Sequence, residues 1–209
     1  MRKKALLLFI GLAILIGGCH NLAGNISPAE TYVSSYEIVG AVYPLAKVYL
    51  GRLEENGSLT GDKLTSFKAK YGSAKTVLVQ GGNLINTYID NPSPVVATNY
   101  PALLRQAMIM LADLTGPYVT KKGIAYNPFK DMSLKDLLER GKQIKEDRKK
   151  MRAGEKISVD EIVLSLNLAM AIVDKLVAYY AGPETLTAEQ KAAYHTRVNF
   201  VIQTIPDWN

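Results

Sequence analysis

The sequence is poor in the side chains that most often carry chemistry. Among its 209 residues it has one cysteine, Cys19, and two histidines, His20 and His195. One cysteine cannot form a disulfide within the chain, so packing alone must hold the fold. The histidines belong to no His-Glu-x-x-His zinc pair and no Cys-x-x-Cys-His haem motif, and Gly-x-Ser-x-Gly is absent too. A di-iron helix needs glutamate three residues before histidine, and Ala192 stands there.

Charge of one sign is also scarce. The formal net charge is +6, but three of the 25 basic residues lie at positions 2–4, and without them 22 bases face 19 acids. So small an excess gives no reason to expect nucleic acid. No stretch after residue 19 holds the ~20 successive apolar residues of a membrane-spanning helix, so we predict none. Together these absences predict a protein that is not an enzyme and that binds no metal, cofactor or nucleic acid.

What the sequence does have begins at its amino terminus. Arg2, Lys3 and Lys4 precede an apolar run over residues 5–16, and Gly17-Gly18-Cys19 closes that run. A basic head, an apolar middle and a small-residue exit are the three parts of a secretory signal. The apolar run is too short to span the ~30 Å hydrocarbon core of a bilayer.

Ile16-Gly17-Gly18-Cys19 resembles the lipobox of bacterial lipoproteins, which is an aliphatic residue, two small residues and a cysteine. In that family the cysteine thiol receives a diacylglyceryl group, the chain is cut just before the cysteine, and the new amino group usually receives a fatty acid such as palmitate. The resemblance implies that Cys19 is the lipidated first residue of the mature chain, which would explain the single unpaired cysteine. It covers the signal segment only. The alternatives are an ordinary signal peptide that ends on a chance cysteine and a retained membrane anchor.

The resemblance also predicts a location. A chain carrying two or three acyl groups is held firmly on a membrane, so we expect a lipoprotein of the cell envelope that faces the periplasm or the cell exterior. In a Gram-negative cell the outer membrane is the default, because His20 follows Cys19 where inner-membrane lipoproteins commonly have aspartate.

Helical periodicity governs the rest of the chain. We predict a signal peptide over residues 1–18, a lipidated tether over 19–27 and one helical domain over 28–209. The expected fold is all-α, an antiparallel bundle of about six helices. The tether reaches at most ~25–30 Å when extended, so the domain should lie close to the lipid headgroups.

The first two helices have the clearest pattern. Ser27-Pro28 opens the first helix, and apolar residues then recur at steps of three and four in both. The two stripes are Tyr32, Tyr36, Val39, Tyr43, Ala46, Leu50 and Leu53, then Leu64, Phe67, Tyr71, Ala74, Leu78, Gly81, Ile85 and Tyr88. A short turn with Asn56-Gly57 predicts an antiparallel hairpin, with Thr60 capping the second helix. Pro44 should kink the first helix, a bend that Gly40 would tolerate.

Four further helices are expected. The third covers residues 99–115 and is ended by Gly116-Pro117; the fourth starts after Ser133. The fifth starts after Ser158 and runs to about residue 181, and its apolar composition predicts that it is the central helix. The last starts after Thr187. Residues 118–132 lack a clear period and are either a functional loop or a packed crossover.

Two groups of residues are candidate sites. A basic run on the fourth helix could contact anionic headgroups or an acidic partner, or could be a solvated face with local ion pairs; it comprises Arg140, Lys142, Lys145, Arg148, Lys149, Lys150 and Arg152. Tyrosine suits amphipathic surfaces, and a kink opens space between helices, so a ligand groove is possible beside Pro44. That groove would be lined by Tyr36, Tyr43, Pro44 and Ile85, which could equally be core.

These features favour a lipid-anchored, non-catalytic envelope protein that acts as a helical scaffold or protein-binding module. Its expected partners are the membrane, through Cys19, and a protein of the envelope. An exposed apolar patch around Tyr126 and Phe129 would suit that function. The alternative is a periplasmic carrier that holds a small apolar ligand between helices.

Overall fold

The structure is a computed structural model, and it describes residues 26–119, 128–129, 131–152, 156–179 and 184–208. The signal segment, Cys19 and the tether before residue 26 lie outside these ranges. The described part consists of six helices: α1 Pro28–Glu55, α2 Gly61–Asp90, α3 Pro94–Val119, α4 Leu134–Arg152, α5 Val159–Val177 and α6 Ala188–Thr204. No strand occurs in the described ranges, and the helices pack on one another, which confirms the predicted all-α bundle.

Side-chain caps start four of the helices at the predicted places. Ser27, Ser133, Ser158 and Thr187 each accept the backbone N–H of the residue three positions further on. The last two form capping boxes, since the side chain of that third residue accepts the N–H of the cap in return. Thr60 occupies the cap position of α2 but makes no side-chain capping bond. These caps satisfy N–H groups that have no partner inside the helix.

The central helix is α1, so the prediction of a central α5 was wrong. α1 packs against each of the other five helices, whereas α5 packs against α1, α3 and α4. α5 also ends at Val177, earlier than predicted, and leaves Leu164 and Val177 half-exposed. The apolar content of a helix limits how much it can bury, but it does not say how many neighbours cover it.

The first two helices form the predicted antiparallel hairpin. Tyr36 Oη donates to the carbonyl of Leu78 at 3.0 Å, and Tyr43 Oη donates to the carbonyl of Tyr71 at 2.6 Å. Numbers rise along α1 as they fall along α2, which is the pairing of antiparallel helices.

α1 continues through Pro44 to Glu55. The packing around Gly40 gives a reason for glycine other than the predicted tolerance of a bend. A Cβ at this position would overlap Val201 Cγ1 of α6. Glycine at this position lets the two helices approach closely, since no side chain separates them.

α3 is longer than predicted at both ends. It starts at Pro94, where Ser93 Oγ accepts the N–H of Val96 at 3.3 Å, and its backbone continues through Gly116-Pro117 to Val119. Proline at the first helical position lacks only an N–H that would be unpaired anyway, so Pro94 starts the helix and does not delay it. Within the described ranges no helix is both long enough and apolar enough to cross a membrane.

The helix directions give the bundle two ends. At one end α1, α3, α4 and α6 begin and α2 and α5 finish. Ile26, the described residue nearest to Cys19 in sequence, lies there beside Lys135 at the start of α4. The N–H of Ala29 donates to Glu184 Oε1, just before α6, at 2.5 Å. We call this the tether end.

The opposite end is fixed by two contacts of α1 with the segments around α5 and α6. Arg52 Nη2 donates to the carbonyl of Ile157, just before α5, at 2.5 Å. Trp208, beyond α6, donates through Nε1 to Glu54 at 3.2 Å, and its ring meets the ring of Tyr71 edge-on at 5.7 Å. We call this the far end. It lies ~40 Å from the tether end along α1, at 1.5 Å per residue.

Candidate functional site

A cleft between α1, α4 and α6 is lined by seven charged side chains. Its volume is about 430 Å³. Its walls are formed by Ile26, Glu30, Ser34, Ile38, Lys135, Asp136, Leu138, Glu139, Lys142, Lys145 and Arg197. We call it the charged cleft.

Arg197 of α6 forms the base of the cleft and holds two carboxylates of α1. Its Nη1 and Nη2 donate to the two oxygens of Glu30 at 2.6 and 3.0 Å. Its Nε and Nη2 also donate to the two oxygens of Glu37 at 3.0 and 2.8 Å. The planar guanidinium has donors on two edges, so one arginine can hold two carboxylates at fixed angles.

Ser34 and Lys145 complete this ion cluster. Ser34 Oγ donates to Glu30 at 2.5 Å and accepts from Arg197 Nη2 at 3.1 Å, while Lys145 Nζ of α4 donates to Glu37 at 2.6 Å. Burial by itself raises the pKa of Glu30 and Glu37, but their hydrogen bonds to these cationic and hydroxyl donors outweigh it, and both pKa values lie below the usual glutamate value. Both carboxylates are therefore charged at neutral pH, and the cluster joins three helices.

α4 approaches α1 closely because of a glycine. A Cβ at Gly141 would overlap the side chain of Ile38 on α1. The first half of α4, which carries Lys135, Lys142 and Lys145, is thereby held along the mouth of the cleft.

The basic run of α4 is divided between the cleft, the bundle and solvent. Lys142 pairs with Glu139 at 2.6 Å and Lys149 with Glu146 at 2.5 Å, each within the helix. Lys150 lies 3.6 Å from Asp147, and Arg140 is exposed on the rim of a neighbouring groove.

Arg148 is buried and donates to the carbonyl and hydroxyl of Thr204 on α6 at 3.2 and 2.9 Å. The side chain of Arg152 lies outside the described residues. Several of these cations therefore already have acidic partners, as the solvated-face alternative expects. Contact of the run with a membrane or partner stays a prediction.

The residues of the predicted ligand groove lie in the core. Tyr36, Tyr43 and Ile85 are fully buried, and Pro44 is buried beside them. The hydroxyls of Tyr36 and Tyr43 donate to backbone carbonyls of α2, and burial raises the pKa of both. A ligand between these helices would have to displace packed side chains, so the carrier alternative gains no support here.

The prediction of an exposed patch at Tyr126 and Phe129 is wrong for Phe129, because this side chain is buried. Phe129 lines a second groove of about 450 Å³ between α4 and α5. Tyr126 lies outside the described residues, as does most of the 118–132 segment.

His195 bonds to Asn86 Oδ1 through Nδ1 and to Asp90 Oδ1 through Nε2, both at 2.8 Å, and so fastens α6 to α2.

Sequence reasoning missed Glu30, Glu37 and Arg197. A signal was present, because Glu30 and Glu37 are seven residues apart and so lie on one face of α1. Two carboxylates on a packed face require a cation from another element. The sequence could not say which of 25 basic residues supplies it.

The fold and the cleft define an all-α bundle with a charged interhelical cleft at the side of its central helix. No family model, no curated protein and no solved structure matches the chain. Within the described residues, no group of three or more His, Cys, Asp or Glu side chains is arranged to hold a metal ion.

Proposed function

We propose that this protein is a lipid-anchored, non-catalytic envelope protein whose helical bundle binds another protein through the charged cleft. The main support for this proposal is the position of the cleft. Ile26 belongs to its wall and follows Cys19 by seven residues, so the cleft opens within ~25 Å of the acylated cysteine. A partner at the membrane surface would meet it directly.

The chemistry of the cleft suits a protein surface. Both signs of charge lie along its mouth, with the basic Lys135, Lys142 and Lys145 on either side of the acidic Asp136 and Glu139. Complementary charges of both signs favour one docking orientation and disfavour wrong partners. The ion cluster beneath them holds α1, α4 and α6 in fixed positions, so the binding surface is preorganised.

The anchor is tested by processing and fractionation. Wild-type precursor should accumulate when globomycin inhibits lipoprotein signal peptidase, and the mature protein should remain with the membrane. Cys19→Ser should abolish both acylation and globomycin sensitivity. Processing that is indifferent to globomycin, or membrane retention of a cleaved Cys19→Ser protein, would contradict the anchor.

Binding through the cleft is tested by crosslinking in cells. A photoreactive amino acid in place of Lys142 should give a discrete adduct with one envelope protein, identified by mass spectrometry. The matched control replaces Lys70, which is exposed on α2, a helix that does not touch α4 in the described part. The adduct should disappear when Lys135 and Lys145 are replaced by glutamate. Equal adducts from positions 142 and 70 would remove the cleft from the proposal.

A further inference from the structure

The tether end carries the two most exposed large apolar side chains of the described part. Val95, in the first turn of α3, is 69% exposed, and Val177, the last residue of α5, is 55% exposed. The other three, Ile109, Leu164 and Phe200, lie along the sides of the bundle.

A largely apolar groove lies at the same end, and Val177 forms part of its wall. Its volume is about 320 Å³, and it is lined by Ala97, Thr98, Pro101, Ala102, Val177, Ala178 and Tyr179. No charged side chain lines it, which distinguishes it from the charged cleft. Apolar surface of this kind is stabilised when it leaves water.

The length of the tether limits what this end can face. Ile26 follows Cys19 by seven residues, so the tether end lies within ~25 Å of the acylated residue. The far end lies ~40 Å further along α1. A tether of at most ~25 Å is too short to run back along the side of the bundle, so the far end cannot face the bilayer.

Electrostatic attraction to an anionic bilayer does not favour a different orientation of the bundle. On the side of α4, Lys142, Lys145 and Lys149 each form an ion pair with a glutamate and Lys150 lies 3.6 Å from Asp147, whereas Arg140 is exposed on the rim of a neighbouring groove. Attraction between that side and an anionic bilayer is therefore reduced, and burial of the two exposed valines favours contact through the tether end.

We propose that the tether end rests on the bilayer and that Val95 and Val177 enter its interfacial layer, so that α1 stands upright and the charged cleft opens sideways. The occupant of the apolar groove is the lipid surface itself. This inference rests on the lipid anchor of the proposed function.

The position of the single tryptophan makes the test possible. Trp208 lies at the far end, so in the wild-type protein it reports on the part of the bundle expected to stand away from the membrane. A Val95→Trp, Trp208→Phe variant moves the fluorophore to the tether end. Leu164→Trp, Trp208→Phe moves it to the side of α5, where Leu164 is 50% exposed, and serves as the matched control.

The acylated proteins are reconstituted into phosphatidylcholine vesicles with and without bromine on the acyl chains. Interfacial apolar groups reach ~5–10 Å into the headgroup and acyl boundary, so brominated lipid should quench the Val95→Trp variant at least about twofold. Its emission should shift to the blue. Wild-type Trp208 and the Leu164→Trp control should be unchanged. Val177→Trp, Trp208→Phe should repeat the result from the neighbouring helix.

Vesicle flotation separates the two proposals. If wild-type protein does not float and Cys19→Ser behaves identically, the anchor itself fails. If wild-type protein floats but the Val95→Trp and Val177→Trp variants are unquenched, the upright orientation is overturned while the anchor stands. Quenching of the Leu164→Trp control in their place would mean that the bundle lies on its side.

Discussion

The α1–α2 interface and the charged cleft both bury polar groups against α1, but they satisfy those groups in opposite ways. At the interface, neutral tyrosine hydroxyls bond to backbone carbonyls, and Tyr36 and Tyr43 are fully buried. In the cleft, Glu30, Glu37 and Arg197 keep side-chain exposures of 33%, 16% and 30%. A hydroxyl is satisfied by one backbone carbonyl, whereas a carboxylate packed between helices needs a cation, which Arg197 of α6 supplies here.

This difference predicts two kinds of behaviour. The tyrosine interface should hold the fold and be insensitive to pH below the tyrosine pKa values, which burial raises. The cleft should respond to pH and salt and contribute less to stability, because its charges keep contact with water.

The largest effect is expected from Tyr32→Ala. Tyr32 is fully buried and meets the rings of Tyr88, Tyr100 and Tyr179 edge-on at 5.1, 5.1 and 6.0 Å. Removing a buried aromatic ring should lower the free energy of unfolding by about 3–5 kcal/mol in a urea titration. Tyr32→Phe loses only the hydrogen bond to the carbonyl of Ala97 and should cost about 1 kcal/mol. Equal losses would show that the ring is not what matters.

Breaking the ion cluster should cost less. Arg197→Met leaves Glu30 and Glu37 without their common cation, and we expect a loss of about 2 kcal/mol, below the 3–5 kcal/mol of fully buried pairs because these groups are partly exposed. A triple variant that adds Glu30→Gln and Glu37→Gln should recover most of the loss. If the triple variant is as unstable as Arg197→Met, packing and not charge explains the effect.

Two glycines test how rigid the two regions are. A Cβ at Gly82 would overlap Tyr36 Oη and approach Ile202, whereas at Gly141 it meets Ile38, whose side chain lines the open cleft. Gly82→Ala should destabilise by about 1–3 kcal/mol, and Gly141→Ala by less, because Ile38, although buried, borders the cleft and can shift toward it. A Cβ at Gly72 would have no atom within 4 Å, so Gly72→Ala should stabilise the folded protein by about 0.5–1 kcal/mol. A larger cost at Gly141 would reverse the comparison.

The pH dependence should come from the cleft. The folded-state pKa values of Glu30 and Glu37 are lowered, so their contribution to stability is present at neutral pH and is lost as pH falls below about 4.5 and through the folded pKa values. Glu37→Gln should therefore flatten the acid limb of a plot of unfolding free energy against pH. Tyr36→Phe should lower the curve without changing that slope. An unchanged slope in Glu37→Gln would assign the acid sensitivity elsewhere.

The smallest effect belongs to the exposed pairs of α4. Lys149 lies 2.5 Å from Glu146 within one helix, and both side chains are more than half exposed. Lys149→Ala should change the free energy of unfolding by less than about 0.5 kcal/mol. A cost comparable with that of Arg197→Met would mean that exposure does not separate the two kinds of pair.

The sequence predicted the elements better than their arrangement. Caps at Ser27, Ser133, Ser158 and Thr187 are local signals, because the side chain bonds three residues away, and the structure confirms all four. The third helix starts at Pro94 and not at residue 99, because Ser93 caps it and proline is tolerated at the first helical position. The prediction that α5 is the central helix was wrong, because the apolar composition of a helix does not determine how many other helices pack against it.

The candidate site was predicted only in part. The basic run was predicted as a whole, and two of its seven cations, Lys142 and Lys145, line the charged cleft. Arg197 lies more than 150 residues from its acidic partners, so no local pattern could join them. Tyr36 and Ile85 were predicted to line a groove because of their residue types. Residue type alone does not distinguish a side chain that lines a cavity from one that is packed in the core.

The sequence alone determined about six helices, four of their caps and the pairing of the first two, because all of these follow from residues three, four or a few positions apart. Only the tertiary structure decided that α1 is surrounded by five helices and that Arg197 lies between Glu30 and Glu37. It also decided which cations of α4 face the cleft. Helix periodicity specifies a buried face, but the neighbour that covers that face depends on contacts between residues far apart in the chain.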